Sequence, residues 1–374
     1  MNDRCERMGT HTWLEASRQA VRNPRSDTLP DHAYACGSMD LIPPPEVRHM
    51  KQMLISMTAV VGVLVLAILP AAAQSDYPSR SVRLVHGFTA GGISDVLARS
   101  IGARLTISLG QQVVVDSRPG AGTTIASEQI ARSPGDGYTL FLQDITTHAI
   151  NASLYRRLPY DSVRDFTPVT LIAATPLILV VHPSLPVKSV KDLIALSRKH
   201  PNDISYGSSG NGTIVHLAGE MLKAMADIRI VHVPYKGSPQ AITGLLGGEI
   251  ALLFATMPPA LPMVAAGRLR ALGVTTPQRT AAAPDVPTMK EAGLKDFELV
   301  LYSGILVPRG VPRPIVDRLN AEFGKAVRAP EVQSVYSKVG AVPVTSTPEE
   351  LGAHVQSEMT KLGKLVQLSG ARVD

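Results

Sequence analysis

The sequence predicts an α/β fold in two lobes, and three observations carry that expectation. From Tyr77 onward, short β-rich runs alternate with helical ones. Two longer extended stretches, 166–184 and 297–312, each join what read as separate α/β units. Glycine- and hydroxyl-rich loops recur where a strand gives way to a helix. The alternation implies largely parallel sheets, because parallel neighbours need a crossover that a helix supplies. Two crossings between the same lobes make a hinge with a cleft between them, and open α/β sheets bind ligands beyond the carboxyl ends of their strands. The expected division is 76–173 plus 299–374 as one domain and 174–298 as the other.

Taken in order, SVRLVH (81–86) reads as the first strand, and SDVLARSIGARLTISLG as a helix with Val96, Leu97, Ile101 and Leu105 at helical spacing. QQVVVD (111–116) is the next strand, TTIASEQIAR the next helix and YTLFLQ (138–143) the third strand, followed by the loop TTHAIN (146–151). ISYGSS precedes the helix GTIVHLAGEMLKAMA, IRIVHVPY precedes SPQAITGLLGG, and EIALLFAT and LRALGVTT are further strands. Beyond Val311 the chain is mostly helical: PRPIVDRLNAEFGKAVR, then PEELGAHVQSEMTKLGKLVQL, before which Thr347 and Glu350 have capping-box spacing.

Upstream of Tyr77 the composition changes. Arg48 and Lys51 precede an almost wholly apolar run from Leu54 to Leu69, and Ala71-Ala72-Ala73 follows. That is the pattern of a secretory signal peptide over 50–73, cut after Ala73. Leu54 to Ala73 is also long enough to span a membrane, but the well-formed small-residue site favours cleavage. Residues 1–49 are polar and aperiodic and read as a non-globular extension, with Met50 or Met53 as the expected start. Both cysteines, Cys5 and Cys36, lie in that extension, so the exported chain is expected to lack disulfides, thiolate catalysis and cysteine-bound zinc.

The chain has 374 residues and a formal net charge of +6, which reads first as general surface charge and would also suit an anionic ligand. It has few aromatics and no lysine-rich tail, so nucleic acid is not expected as a partner. In the loop HGFTAGGISD the Gly91-Gly92 pair permits close backbone approach, and Ser94 or Asp95 can cap the helix that follows. The remaining N–H groups and the helix dipole suit a carboxylate. SYGSSGNGTIVHLAGE repeats the theme with Ser208, Ser209, Asn211 and Thr213. VHVPYKGSPQA places Tyr235 and Lys236 at a strand end, where Lys236 either pairs with an anion or is simply solvated, and TTHAIN offers Thr147 and His148, although His148 taken alone reads as a buried, satisfied histidine. RPGAGTTIASE has Gly120 and Gly122 of a dinucleotide fingerprint but Ile125 where the third glycine belongs, so no nucleotide is expected. His216 and Glu220 are spaced as a metal pair could be, but read as a packing pair. With no clustered carboxylate pair and no Ser-His-Asp order, the loops are rich in donors and poor in catalysts. They favour gripping over reacting, with no cofactor, no metal and no enzyme activity expected.

In order along the chain, the landmarks YPSRSVRLVHGFTAGGISDVLAR, VVVDSRPGAGTTIASEQIARSPGDGYTL, THAINASLYRRLPYDSVRDFTPVTL, YGSSGNGTIVHLAGE, VHVPYKGSPQAITGLLGGEI, PALPMVAAGRLRALGVTT and DVPTMKEAGL resemble the substrate-binding receptors of tripartite tricarboxylate transporters, the Bug-type proteins. The resemblance covers nearly all of the chain from Tyr77 on. It implies a type II-like periplasmic-binding-protein fold, with mixed sheets, helices on both faces and two crossover segments as hinge. It also implies a periplasmic monomer that passes a small organic carboxylate to a large and a small membrane subunit. By position the ligand residues it implies are Thr89, Ala90, Gly91, Gly92, Thr147, His148, Ser208, Ser209, Asn211 and Thr213, with Tyr235 and Lys236, and Ala255 and Thr256 at the end of EIALLFAT. Two departures stand out. Thr89 replaces a common proline after Phe88, and Ala255 stands where an aspartate is common, which favours a fully anionic or less polar carboxylate over an amino acid. The alternative is a sensing receptor that feeds a signalling kinase.

Overall fold

A computed structural model of the protein describes residues 77–369. The extension and the signal peptide expected from the sequence lie outside the described residues, as do Cys5 and Cys36. The strands are β1 (Val82–His86), β2 (Val113–Ser117), β3 (Thr139–Asp144), β4 (Phe166–Val181), β5 (Ser205–Ser208), β6 (Val231–Pro234), β7 (Leu252–Thr256), β8 (Arg270–Val274), β9 (Val300–Pro308) and β10 (Val342–Pro343). The helices are α1 (Ile93–Leu109), α2 (Thr124–Ala131), α3 (Ile145–Leu154), α4 (Val190–Lys199), α5 (Ile214–Ala226), α6 (Ser238–Leu246), α7 (Met257–Ala265), α8 (Arg313–Arg328), α9 (Pro330–Lys338) and α10 (Pro348–Ser369).

The strands follow the order β2-β1-β3-β9-β4-β7-β5-β6, with β8 and β10 also on β4. β1 runs parallel to β2 and β3, and β5 parallel to β6 and β7, as the alternation predicts. The expectation of largely parallel sheets fails at the centre. β9 is antiparallel to β3 and to β4, and β4 is antiparallel to β7 and β8. The reason lies in the two long extended stretches, which pair with each other directly and need no helical crossover. β4 changes partners within its own length: Phe166 to Pro176 align with β9, and Leu177 to Val181 with β7. Pro176 stands at that change. A residue without an N–H fits where one ladder stops and another begins.

Leu177 to Val181 are fully buried in one apolar cluster that also takes in Leu97, Ile101, Tyr206, Leu253 and Phe254. A second cluster, with Phe141, Tyr160 and Phe166, packs beneath α3 and α10. The capping box forms as spaced. Thr347 Oγ1 accepts from Glu350 N at 3.1 Å and Glu350 Oε2 from Thr347 N at 2.8 Å. TTHAIN is not a loop: β3 runs straight into α3, and Asp144, the last strand residue, caps the helix.

Candidate ligand-binding site

Five helices begin around one small cavity. Its wall holds Gly92, Ile93 and Ser94 of α1, Asp144 at the cap of α3, Ile214 and Val215 of α5, Ser238 and Pro239 of α6, and Thr256 at the cap of α7, with Phe88, Thr89, Ser209 and Leu301 beside them. Each helix start presents amides with no acceptor inside its own helix and the positive end of its dipole. The cavity has ≈ 20 Å³, room for a water molecule or two. A second cavity of ≈ 400 Å³ adjoins it through Phe88 and Ser209. It is lined by 120–123, Tyr155, Gly210, Asn211 and Pro234 to Lys236.

The loops before α1 and α5 are built alike. In each, the third helical residue reaches back to the amide of the glycine two residues before the helix. Asp95 Oδ2 accepts from Gly91 N at 3.0 Å, and His216 Nδ1 accepts from Gly212 N at 3.3 Å. These are capping boxes displaced by one residue. The Asp95 carboxylate is also paired with Arg99 at 2.9 Å and lies 3.5 Å from His86 Nε2. The second loop rests on a column of rings instead. Tyr206 stacks on His232 at 4.8 Å and His232 on His216 at 4.2 Å. His232 Nε2 meets Ser208 Oγ at 2.7 Å, and Tyr206 OH donates to Glu220, which Lys223 pairs at 2.8 Å. Burial pushes both imidazoles toward the neutral form, His232 down to about 3. A neutral His216 keeps the Nδ1 lone pair that anchors the loop.

The residues proposed from sequence divide into three groups. Thr89, Gly92, Ser209 and Thr256 line the small cavity, and Asn211, Tyr235 and Lys236 line the larger one. Thr256 Oγ1 is buried and has no hydrogen-bond partner among the described residues. Thr147, Ser208, Thr213 and Ala255 are buried behind these walls, whereas Ala90 and Gly91 are exposed and line neither cavity. Thr213 Oγ1 accepts from His216 N and Ser209 Oγ, and Ala255 is held in the β4–β7 ladder opposite Ile178. His148 does not reach the site. Its Nε2 donates to Ser162 O at 2.9 Å, its Nδ1 meets Gln143 at 3.3 Å, and its ring stacks on Tyr160 in the core. His148 is a buried, satisfied histidine, and the structure does not bring it among the ligand residues that the resemblance implies. Successive residues of a helix point about 100° apart, so Thr147 faces Asp144 and the start of α5 while His148 turns into the core.

Sequence reasoning left out Asp144, Ser238, the 120–123 turn and Gln240, and took Ser94 only as a helix cap. Ser238 and Gln240 stood beside named residues. The turn was set aside with the failed dinucleotide fingerprint, although Gly122 has a φ of +58° that favours glycine. Contacts across the site are close. Thr89 Oγ1 donates to Gln240 Oε1 at 3.1 Å, and Thr147 Oγ1 accepts from Ile214 N at 3.2 Å. A Cβ on Gly237 would meet Thr89 Oγ1.

Two roomier clefts lie elsewhere. One, of ≈ 470 Å³, runs along 276–282 and α9; the other, of ≈ 980 Å³, is bordered by Lys290, Lys295, Lys361 and Lys364. Neither gathers helix starts. Among the described residues no group of three or more His, Cys, Asp or Glu could hold a metal ion.

The chain is similar to known proteins over most of its length. The sequence profile described as "Tripartite tricarboxylate transporter family receptor" matches residues 97–371. Protein BugT of Bordetella pertussis is 33% identical over 318 residues, 84% of this chain and 98% of that protein. Among solved structures, the Rhodopseudomonas palustris protein Rpa4515 with adipate is 38% identical. Its TM-score is 0.77, and the match covers 79% of this chain and all of that one (100%). The periplasmic binding protein BugD is 32% identical with a TM-score of 0.76, covering 79% and 99%.

Proposed function

The chain belongs to the tripartite tricarboxylate transporter receptor family, whose members are periplasmic solute-binding receptors and not enzymes, and on that premise we propose that it captures a small organic dicarboxylate where five of its helices begin. The observation that carries the proposal is the unpartnered, buried Thr256 hydroxyl in a wall otherwise made of helix starts. Amides and hydroxyls held by rigid elements replace the water around a carboxylate at little cost in reorganisation. Adipate bound to a relative 38% identical supports a dicarboxylate of similar length.

The two parts, 76–173 with 299–374 and 174–298, then act as lobes that close by hinge motion at the β4 and β9 crossings. Thr89 with Gln240, and Thr147 with Ile214, are the contacts that closure makes. The signal peptide is cut after Ala73, and the loaded monomer docks on a large and a small membrane subunit. The family and these relatives lend no support to a receptor feeding a signalling kinase.

Calorimetric titration of the purified exported chain with adipate, succinate and citrate tests this reading. At least one should bind saturably at one per chain and raise the melting temperature by mass action. Silence across the panel would contradict it.

A further inference from the structure

We propose that Asp144 takes up a proton as the receptor closes on its ligand, so that what is captured is a carboxylate together with one proton. The inference rests on the carboxylate reading of the site above. Asp144 is 1% exposed and forms part of the cavity wall, among the starts of α1, α5, α6 and α7. Its Oδ1 accepts from Thr147 N at 3.0 Å and its Oδ2 from Thr147 Oγ1 at 2.5 Å. That hydroxyl in turn accepts from Ile214 N, so the carboxylate is linked through Thr147 to the start of α5. Among the described residues no lysine, arginine or histidine lies within ion-pair distance of it. Its negative charge is met only by donors and by helix starts.

Those helix starts are also what an arriving carboxylate needs. Two anions enclosed together without water, sharing one set of positive dipoles, do not both stay ionised. The ligand meets fresh amides and the Thr256 hydroxyl, which favour its charged form. Asp144 is the one of the pair already enclosed, so the proton goes to it. The surrounding ionisable groups do not rescue its charge. On α10, Glu358 repels it, and Lys361 lies 3.9 Å from Glu358. On α1, Asp95 and Arg99 are paired with each other. On α5, His216 faces Glu220, and on α3, His148 is held by Ser162. His86 on β1 faces Asp95, and Tyr302 on β9 is itself pushed up by burial. Burial already holds the Asp144 carboxyl up at about 6.

A carboxyl that titrates near 6 when free and stays protonated when bound makes affinity fall with rising pH, approaching about tenfold per unit above that value. The test is calorimetry of the exported receptor with adipate at pH 7.5, in buffers of different ionisation enthalpy. The slope of heat against buffer enthalpy should correspond to uptake of more than about half a proton per adipate. Asp144→Asn should bring that slope to zero and flatten the pH dependence of affinity. Adipate binding with no buffer dependence in the unaltered receptor overturns the proposal, and so does an Asn variant that keeps the same uptake. If the variant does not fold, the unaltered receptor decides through its dissociation constant between pH 6.5 and 8. A rise approaching tenfold per unit supports the proposal, and a flat line overturns it. If adipate, succinate and citrate all fail to bind, the receptor reading falls, and this proposal falls with it.

Discussion

Thr256 and His148 are both buried and polar, and they have opposite fates. The Thr256 hydroxyl has no partner, and an unsatisfied buried hydroxyl costs about 1–3 kcal/mol. Thr256→Val should therefore raise the melting temperature of the empty protein by roughly 2 °C or more. The same change should weaken adipate binding about tenfold, because the lost group is one the ligand would satisfy. A variant that melts lower and binds normally would show that the hydroxyl serves packing alone. His148 is satisfied on both nitrogens, and burial pushes it down to about 4, below the 6.5 of an unfolded histidine. Between those values the unfolded chain holds more protons, so stability is complete above about pH 6.5 and falls as pH drops toward 4. At pH 5 the loss from His148 amounts to about 2 kcal/mol. Asp144 works the other way, returning stability as pH falls from 6 toward 3.8. Denaturant melts at pH 7 and pH 5 should show lower stability at pH 5, and His148→Gln should reduce the difference.

The loops show how far local sequence reaches. Strand–loop–helix junctions were legible because glycine pairs and hydroxyls punctuate them, as at Gly91-Gly92 and at Ser208 to Thr213. The box at Thr347 and Glu350 was legible because its partners are three residues apart. α3 was not, because Asp144 belongs at once to β3 and to the helix cap, leaving no punctuation between them. α7 was hidden by its prolines: Pro258 and Pro259 fall in the first turn, where a missing N–H costs nothing. The pairing of β4 with β9 was out of reach, since its partners lie more than a hundred residues apart and register is a tertiary fact. Gly237 tests closure at this scale. Its backbone is extended, so alanine there is unstrained, yet its Cβ would meet Thr89 Oγ1 and Gln240 Oε1. Gly237→Ala should melt normally and bind adipate at least about tenfold more weakly. Unchanged affinity would show that the two loops do not need this approach.

Across the whole molecule, the fold supplies position and the backbone supplies charge. β3, β5 and β7 end at the same small cavity, and α3, α5 and α7 begin there. The lysine-bordered cleft beside α10 offers the opposite design, with full charges on long, solvated side chains. A carboxylate could be drawn to either, and the two designs separate cleanly in one experiment. A crystal structure of the exported receptor with adipate should place carboxylate oxygens within hydrogen-bond reach of the first-turn amides of α1 or α5 and of Thr256 Oγ1. Adipate seated instead among Lys290, Lys295, Lys361 and Lys364, with the helix starts untouched, would contradict the account.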